Sequence, residues 1–230
     1  MIFKNKITDI FFDLDHTLWD FEKNSALAFE TVLQKNEIAI DTIAFVERYV
    51  PVNKKFWDLY QRNQVTAQEL RYGRLKEVFE SFSHSIDDEK IHFLAEEYIS
   101  HLPLNNHLYA GALELLDYLQ PHYQLHIITN GFNLVQQNKL KNSNILHYFK
   151  TVTDSEIAGH KKPSAEIFKF ALENAKCNPK TAVMIGDNLE ADVEGALSAG
   201  LDAIFFNEHN IKVGENIKHV NHLLALKNYF

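Results

Sequence analysis

Four short stretches of this sequence carry side chains that could do chemistry together. In FFDLDHTLW, Asp13 and Asp15 stand two residues apart, a spacing that sets both carboxylates on one side of an extended backbone. Thr129-Asn130-Gly131 follows an apolar run, Lys162 precedes Pro163, and GDNLEAD supplies Asp187 and Asp192. Three aspartates from two neighbouring strands are hard oxygen ligands suited to Mg²⁺. A carboxylate beside that ion can attack phosphorus and become an aspartyl-phosphate. A transferred phosphoryl group needs its charge stabilised. The Thr129 hydroxyl, the backbone N–H groups after it and the Lys162 ammonium are suitable donors. The leaving oxygen needs a proton, and a second carboxylate two residues along can supply it.

Each stretch also has a plainer reading. The two aspartates could simply close a strand, Thr129-Asn130-Gly131 could be a turn, Lys162 could be a solvated lysine ahead of a helix-starting proline, and Asp187 with Glu190 fits a helix cap. The four together say more than each alone, because the elements around them place all four at one edge of one sheet. Ile7 to Phe12, Leu125 to Thr129, Thr181 to Ile185 and Ala203 to Phe206 read as strands, with a weaker one at Lys150 to Thr153. Nearly continuous apolar runs of this length suit parallel strands covered on both faces. Between them lie helical stripes: Leu113, Leu116 and Leu119; Ile167, Phe168, Ala171, Leu172 and Ala175; Val193, Ala196 and Leu197, closed by Gly200. Strands alternating with helices give an α/β, doubly wound parallel sheet, whose ligands bind at the carboxyl ends of the strands.

Residues 20–105 differ. They read as helices only, around Glu22 to Lys35, Ile43 to Gln61, Thr66 to Phe82 and Asp87 to His101, with a capping-box pattern at Thr66 and Glu69. A crossover between neighbouring strands needs far fewer residues, so residues 20–105 are expected to be a helical insertion in a core built from 1–19 and 106–230. Leu223, Leu224 and Leu226 suggest a short packed helix in the tail.

The 230 residues are 46% hydrophobic and 23% charged, the balance of a globular chain. A formal charge of −8, from 23 basic and 31 acidic residues, argues against a nucleic-acid polymer as partner. A small anionic substrate stays compatible with it. Cys177 is the single cysteine, so no intrachain disulfide or cysteine-rich zinc site is possible. No run approaches the ~18 apolar residues of a membrane span, and the first residues do not resemble a secretory signal. These features lead to the expectation of a soluble, cytoplasmic protein.

The motifs resemble those of the haloacid dehalogenase superfamily. DLDHT is similar to its DxDxT/V motif, IITNG to its second, HKKPSAEIF to its third and GDNLEAD to its fourth, and the helical insertion is similar to a C1-type cap. The resemblance implies that Asp13 is the nucleophile and a Mg²⁺ ligand, and that Asp15 is the general acid/base and lends its backbone carbonyl to the metal. It implies that Thr129 and the Asn130 backbone N–H bind the phosphoryl group and that Lys162 holds nucleophile and phosphoryl oxygens. The resemblance also implies that Asp187 ligates Mg²⁺, directly or through water, and that Asp192 orients Lys162. His16 stands where the family often has Gly. The acid at Asp15 points to phosphoester chemistry, since the family's dehalogenases and phosphonatases lack one there.

The segment from Asn53 to Arg74 resembles the cap of YjjG-type 5′-nucleotidases, which implies nucleoside monophosphates as substrates. Trp19, Asn53, Trp57, Arg71 and Arg74 are candidates to contact the group beyond the phosphate. Either Trp could stack on a base or be packed in the interior, and Arg71 and Arg74 could equally be a solvated face. The alternatives are a phosphosugar or small-metabolite phosphatase, a phosphomutase of the same fold, or a binding module without activity.

Overall fold

The structure is a computed structural model and describes residues 3, 5–82 and 86–230. The chain divides into two compact units, residues 22–106 and the remainder.

The larger unit is built on a six-stranded parallel sheet in the order β3-β2-β1-β4-β5-β6. The strands are β1 (Asp9–Phe12), β2 (Gln124–Thr129), β3 (Phe149–Asp154), β4 (Ala182–Gly186), β5 (Asp202–Phe206) and β6 (His219–Val220). From β1 the chain runs outward through β2 and β3, then returns to the other side of β1 for β4, β5 and β6. The order therefore reverses between β1 and β4, where Phe12 pairs with Ile185. The carboxyl ends of those two strands flank the crevice in which sheets of this kind bind ligands. The apolar strands are buried on both faces, as parallel strands must be. On one face Phe11, Ile128, Met184 and Phe205 pack against Ile167, Phe168, Val193 and Ala196.

The smaller unit holds most of α1 (Phe21–Lys35), with α2 (Thr42–Gln61), α3 (Ala67–Ser81) and α4 (Asp88–His101). Among its described residues there is no strand. Thr66 and Glu69 form the reciprocal capping box that starts α3, and Phe29, Phe45, Tyr49 and Tyr98 form its aromatic centre. The remaining helices belong to the sheet unit: α5 (Ala112–Leu119), α6 (Asn133–Asn142), α7 (Ser155–Ala158), α8 (Ala165–Ala175), a π-helical turn at Leu189–Glu194 continuing into α9 (Gly195–Ser198), and a 3₁₀ turn at Leu223–Asn228.

Two local expectations are corrected, and one strand was not expected. The buried stripe of α5 is Ala112, Leu115, Leu116 and Leu119, whereas Leu113 is 48% exposed; with apolar residues on both sides of Glu114, the run ALELL leaves the phase of the stripe open. Strand β6 is too short and polar to stand out in the tail. The cap of the π-helical turn is Asn188, which accepts from Ala191 N, and not Asp187. No helix of the described residues is long and apolar enough to cross a membrane.

Candidate active site

Asp13 is the first residue past β1, and its N–H donates to Ile185 O of β4 at 2.9 Å, which ties the two strand ends together. The chain then turns tightly. Leu14 O accepts from Leu18 N at 3.0 Å and Trp19 N at 2.8 Å, and His16 takes a left-handed φ of 61°. A left-handed backbone is where glycine is favoured and histidine is tolerated, so His16 meets the turn that the usual Gly would make. The turn delivers the buried Thr17 hydroxyl to Asp187 Oδ1 at 3.1 Å, joining the segment after β1 to the one after β4.

Lys162 is not a solvated lysine. It is 2% exposed, and α8 begins only at Ala165, with Ser164 as its cap. Its Nζ donates to Asp13 Oδ1 at 2.7 Å, Asp192 Oδ1 at 2.6 Å and Ile128 O at 2.8 Å, which uses all three of its protons. The Asn130 side chain holds the Lys162 backbone from both sides, accepting from its N–H at 2.7 Å and donating to its carbonyl at 3.0 Å. Asp192 is fixed in turn by Asn188 N–H on its other oxygen at 3.0 Å. It lies directly over Gly186, where any Cβ would collide with its carboxyl group.

The electrostatics call for a further positive charge. Ligand oxygens of Asp13, Asp187 and Asp192 lie within 4.8 Å of one another, and one ammonium serves them. Burial pushes Asp13 up to about 8, opposed by Lys162 and reinforced by Asp192 and Asp187. Burial and then Asp192 push Asp187 up to about 7. Burial would lower the Lys162 ammonium, but Asp13 and Asp192 overcome this and hold it above the ordinary lysine value. An oxygen-only, carboxylate-rich, desolvated cluster is the donor set of a hard divalent cation such as Mg²⁺. Asp13 and Asp187 are placed to hold one, while Asp192 is already committed to Lys162 and Asn188.

Thr129 ends β2. Its Oγ accepts from Gly131 N at 3.1 Å and Gln136 Nε2 at 2.8 Å. With both lone pairs used, its proton is left to donate, as a phosphoryl-binding hydroxyl requires. Gln136 Nε2 also donates to Asp15 Oδ2 at 2.9 Å, and Lys139 Nζ to Asp15 Oδ1 at 2.6 Å. The two carboxylates of the first motif are thus held by different cations, Lys162 on Asp13 and Lys139 on Asp15.

Gln136 and Lys139 were not anticipated from the sequence. A signal was present: the buried stripe of α6 is Val135, Gln136, Lys139 and Leu140, so two polar residues fall on a stripe that periodicity alone would make apolar. Gln136→Leu is expected to lower kcat by about ten-fold or more, because small misplacements of reacting groups are costly. Stability should change little, since Gln136 Oε1 is buried with no partner. Steady-state kinetics together with thermal melts check both.

The candidates outside the motifs separate. Trp19 is 0% exposed. Its Nε1 donates to Ser143 Oγ at 3.1 Å, and Lys139 Nζ sits 4.4 Å above its ring, so it props the lysine that holds Asp15 and cannot stack on a base. In the helical unit Trp57 is half-buried and meets Tyr60 edge-on, and Arg71 pairs with Glu96 at 3.4 Å. Arg74 is buried, not part of a solvated face, and Asn53 is bonded to it.

Known proteins are similar to this chain along most of their length. The pyrimidine 5′-nucleotidase PynA of Streptococcus pneumoniae is 34% identical over 205 residues, 88% of this chain and 85% of that protein. The pyrimidine 5′-nucleotidase YjjG of Escherichia coli is 32% identical over 209 residues, 90% of this chain and 89% of its own. The crystal structure of the HAD-hydrolase YfnB from Bacillus subtilis, bound to magnesium, superposes with a TM-score of 0.88 at 26% identity, covering 98% of this chain and 99% of that one. The sequence matches the haloacid dehalogenase-like hydrolase family over residues 9–200, and with the parallel sheet and the four motifs at its carboxyl edge, the chain belongs to that family.

Proposed function

We propose that this hydrolase is a magnesium-dependent phosphomonoesterase, a 5′-nucleotidase that acts on pyrimidine nucleoside monophosphates through an aspartyl-phosphate. The observation that carries the reading is the pair of separately held carboxylates two residues apart. Lys162 aims Asp13 Oδ1 from one side, while Gln136 and Lys139 orient Asp15 from another. Asp13 attacks phosphorus as the bond to the ester oxygen breaks, and Asp15 gives that oxygen its proton. Asp15 then takes a proton from water, which attacks the phosphorus of the aspartyl-phosphate and releases inorganic phosphate and the free Asp13 carboxylate. Thr129 and the Asn130 N–H bind the phosphoryl oxygens, and Lys162 stabilises their charge. Mg²⁺ held by Asp13, Asp187 and the Asp15 carbonyl would neutralise the phosphoryl group and the buried carboxylates. Asp192 keeps Lys162 in place.

This chemistry is the same for every phosphate ester, so choice among substrates belongs to other residues. Residues 22–106 serve as the cap in this reading, and the two nucleotidases above support pyrimidine nucleotides. Phosphate release from UMP, dUMP and ribose 5-phosphate, with Mg²⁺ or with a chelator, tests it. Activity is expected to vanish with the chelator and return with Mg²⁺, and kcat/KM for UMP to exceed that for ribose 5-phosphate at least ten-fold. A higher value for ribose 5-phosphate would make this a phosphosugar phosphatase instead. An isomeric phosphate ester without free phosphate would make it a mutase.

A further inference from the structure

β3 is an edge strand of the sheet and carries none of the four motifs, yet its carboxyl end is polar and buried. Asp154 is 0% exposed and Ser155, the next residue, 5%. Buried polar side chains are kept where they are hydrogen-bonded, and here the bonds converge on one turn. Ser155 Oγ donates to Asn130 O at 3.1 Å. Asp154 Oδ2 accepts from Asn133 Nδ2 at 2.6 Å, and its Oδ1 accepts from the N–H groups of Glu156 and Ile157, both at 3.0 Å. Glu156 Oε2 accepts from Asn133 N at 2.6 Å. That N–H is the first of α6, whose own capping residue, Phe132, makes no side-chain cap. The turn from Thr129 to Asn133 is therefore held from β3 at both ends, by Ser155 near its start and by Asp154 and Glu156 at its finish.

Within the phosphatase reading, on which this inference rests, that turn carries the Thr129 hydroxyl and the Asn130 N–H that bind the phosphoryl group. We propose that Ser155 is a positioning residue for the phosphoryl group, with Asp154 and Glu156 as its supports. The link is one peptide unit. The Asn130 carbonyl and the Gly131 N–H belong to the same planar group, so the hydroxyl that fixes the carbonyl also fixes the N–H. That N–H donates to Thr129 Oγ at 3.1 Å. With its second lone pair taken by Gln136, Thr129 keeps its proton for a phosphoryl oxygen. Without Ser155 the peptide can rotate, Thr129 loses a donor, and its hydroxyl no longer has a single direction. The Asn130 side chain also grips the Lys162 backbone. Both side chains that meet phosphoryl oxygens, Thr129 and Lys162, are thus referred to β3 through Asn130.

The test measures kcat and KM for p-nitrophenyl phosphate and UMP, the Ki of inorganic phosphate as competing product, and thermal melts, in the wild type, Ser155→Ala and Glu156→Ala. In Ser155→Ala the Ki of phosphate is expected to rise about ten-fold, and kcat/KM to fall at least as much for both esters, because small displacements of groups that hold a reacting phosphate are costly. Glu156 is exposed, so Glu156→Ala should melt with the wild type while the Ki rises at least three-fold. A Ki within two-fold of wild type in folded Ser155→Ala, whatever happens to kcat, would make Ser155 a packing residue and overturn the inference while leaving the phosphatase reading intact. If Ser155→Ala fails to fold, Glu156→Ala decides by the same measurement. A wild type that releases no phosphate from either ester would overturn both.

Discussion

Asp13→Asn is expected to abolish phosphate release and, in a chelator at pH 7 or above, to make the protein melt at a higher temperature. The first effect follows because an amide cannot attack phosphorus. The second follows from burial, which pushes Asp13 up to about 8, well above the carboxylate value of an unfolded chain. The native state therefore holds a proton that the unfolded state releases. Its stability is fully present below about pH 4 and declines as the pH rises toward 8. Asparagine does not titrate and escapes that cost. A gain of about 1–2 kcal/mol corresponds to roughly 3–6 °C for a chain of this size. Mg²⁺ should raise the melting temperature of the wild type and leave Asp13→Asn nearly unmoved. Near-normal turnover in Asp13→Asn would replace covalent catalysis by direct attack of water. A melting temperature below wild type in the chelator would show that Asp13 is not strained by its burial.

Lys162→Met is expected to do the opposite to stability while also stopping turnover. Lys162 is the shared cation of Asp13 and Asp192, both buried. Removing one partner of a buried ion pair costs about 3–5 kcal/mol, because the remaining charge is left uncompensated. Without Lys162, Asp13, which burial already pushes up, should bind its proton more tightly still in the native state. The loss is accordingly largest at pH 8 and shrinks as the pH falls toward 5, where protonation of Asp13 removes its stranded charge. Denaturant melts of wild type and variant at pH 5 and 8 check this. A deficit independent of pH would show that the methionine fails by shape and not by charge.

Strands β1 to β5 were legible as short β-rich runs, and the four helices of residues 22–106 as long stretches without a strand pattern. So were the motif residues, which sit where strands end: Asp13 after β1, Thr129 at the end of β2, Asp187 after β4. What escaped was decided by tertiary contact. Nothing local marks Trp19 as the support of Lys139, since an aromatic after a turn suits an interior or a binding face alike. Gln136 and Lys139 look like an ordinary polar helix face until α6 is placed beside Asp15. Arg74 reads as solvent-facing by residue type, although its position on the Leu70–Val78 stripe was visible. Leu113 shows the converse error, an apolar residue beside Glu114 that the helix turns outward.

The order of the strands has a consequence for how the protein is made. β1 is central in the sheet, yet on the ribosome it appears long before either neighbour, β2 or β4. About 170 residues separate the end of β1 from β4, roughly 10–30 s of synthesis at typical rates of translation. Through that interval the apolar segment Asp9–Phe12 has no parallel strand on at least one side. The helical residues 22–106 form a continuous block and can fold meanwhile, so the first unit completed is not the one that begins the chain. The nascent protein must keep an unpaired apolar strand from other chains while its later half is made. The groups that finish the site, Asp187 and Asp192, are also the last of its residues to be synthesised, so no shorter nascent chain carries the complete phosphate-handling set.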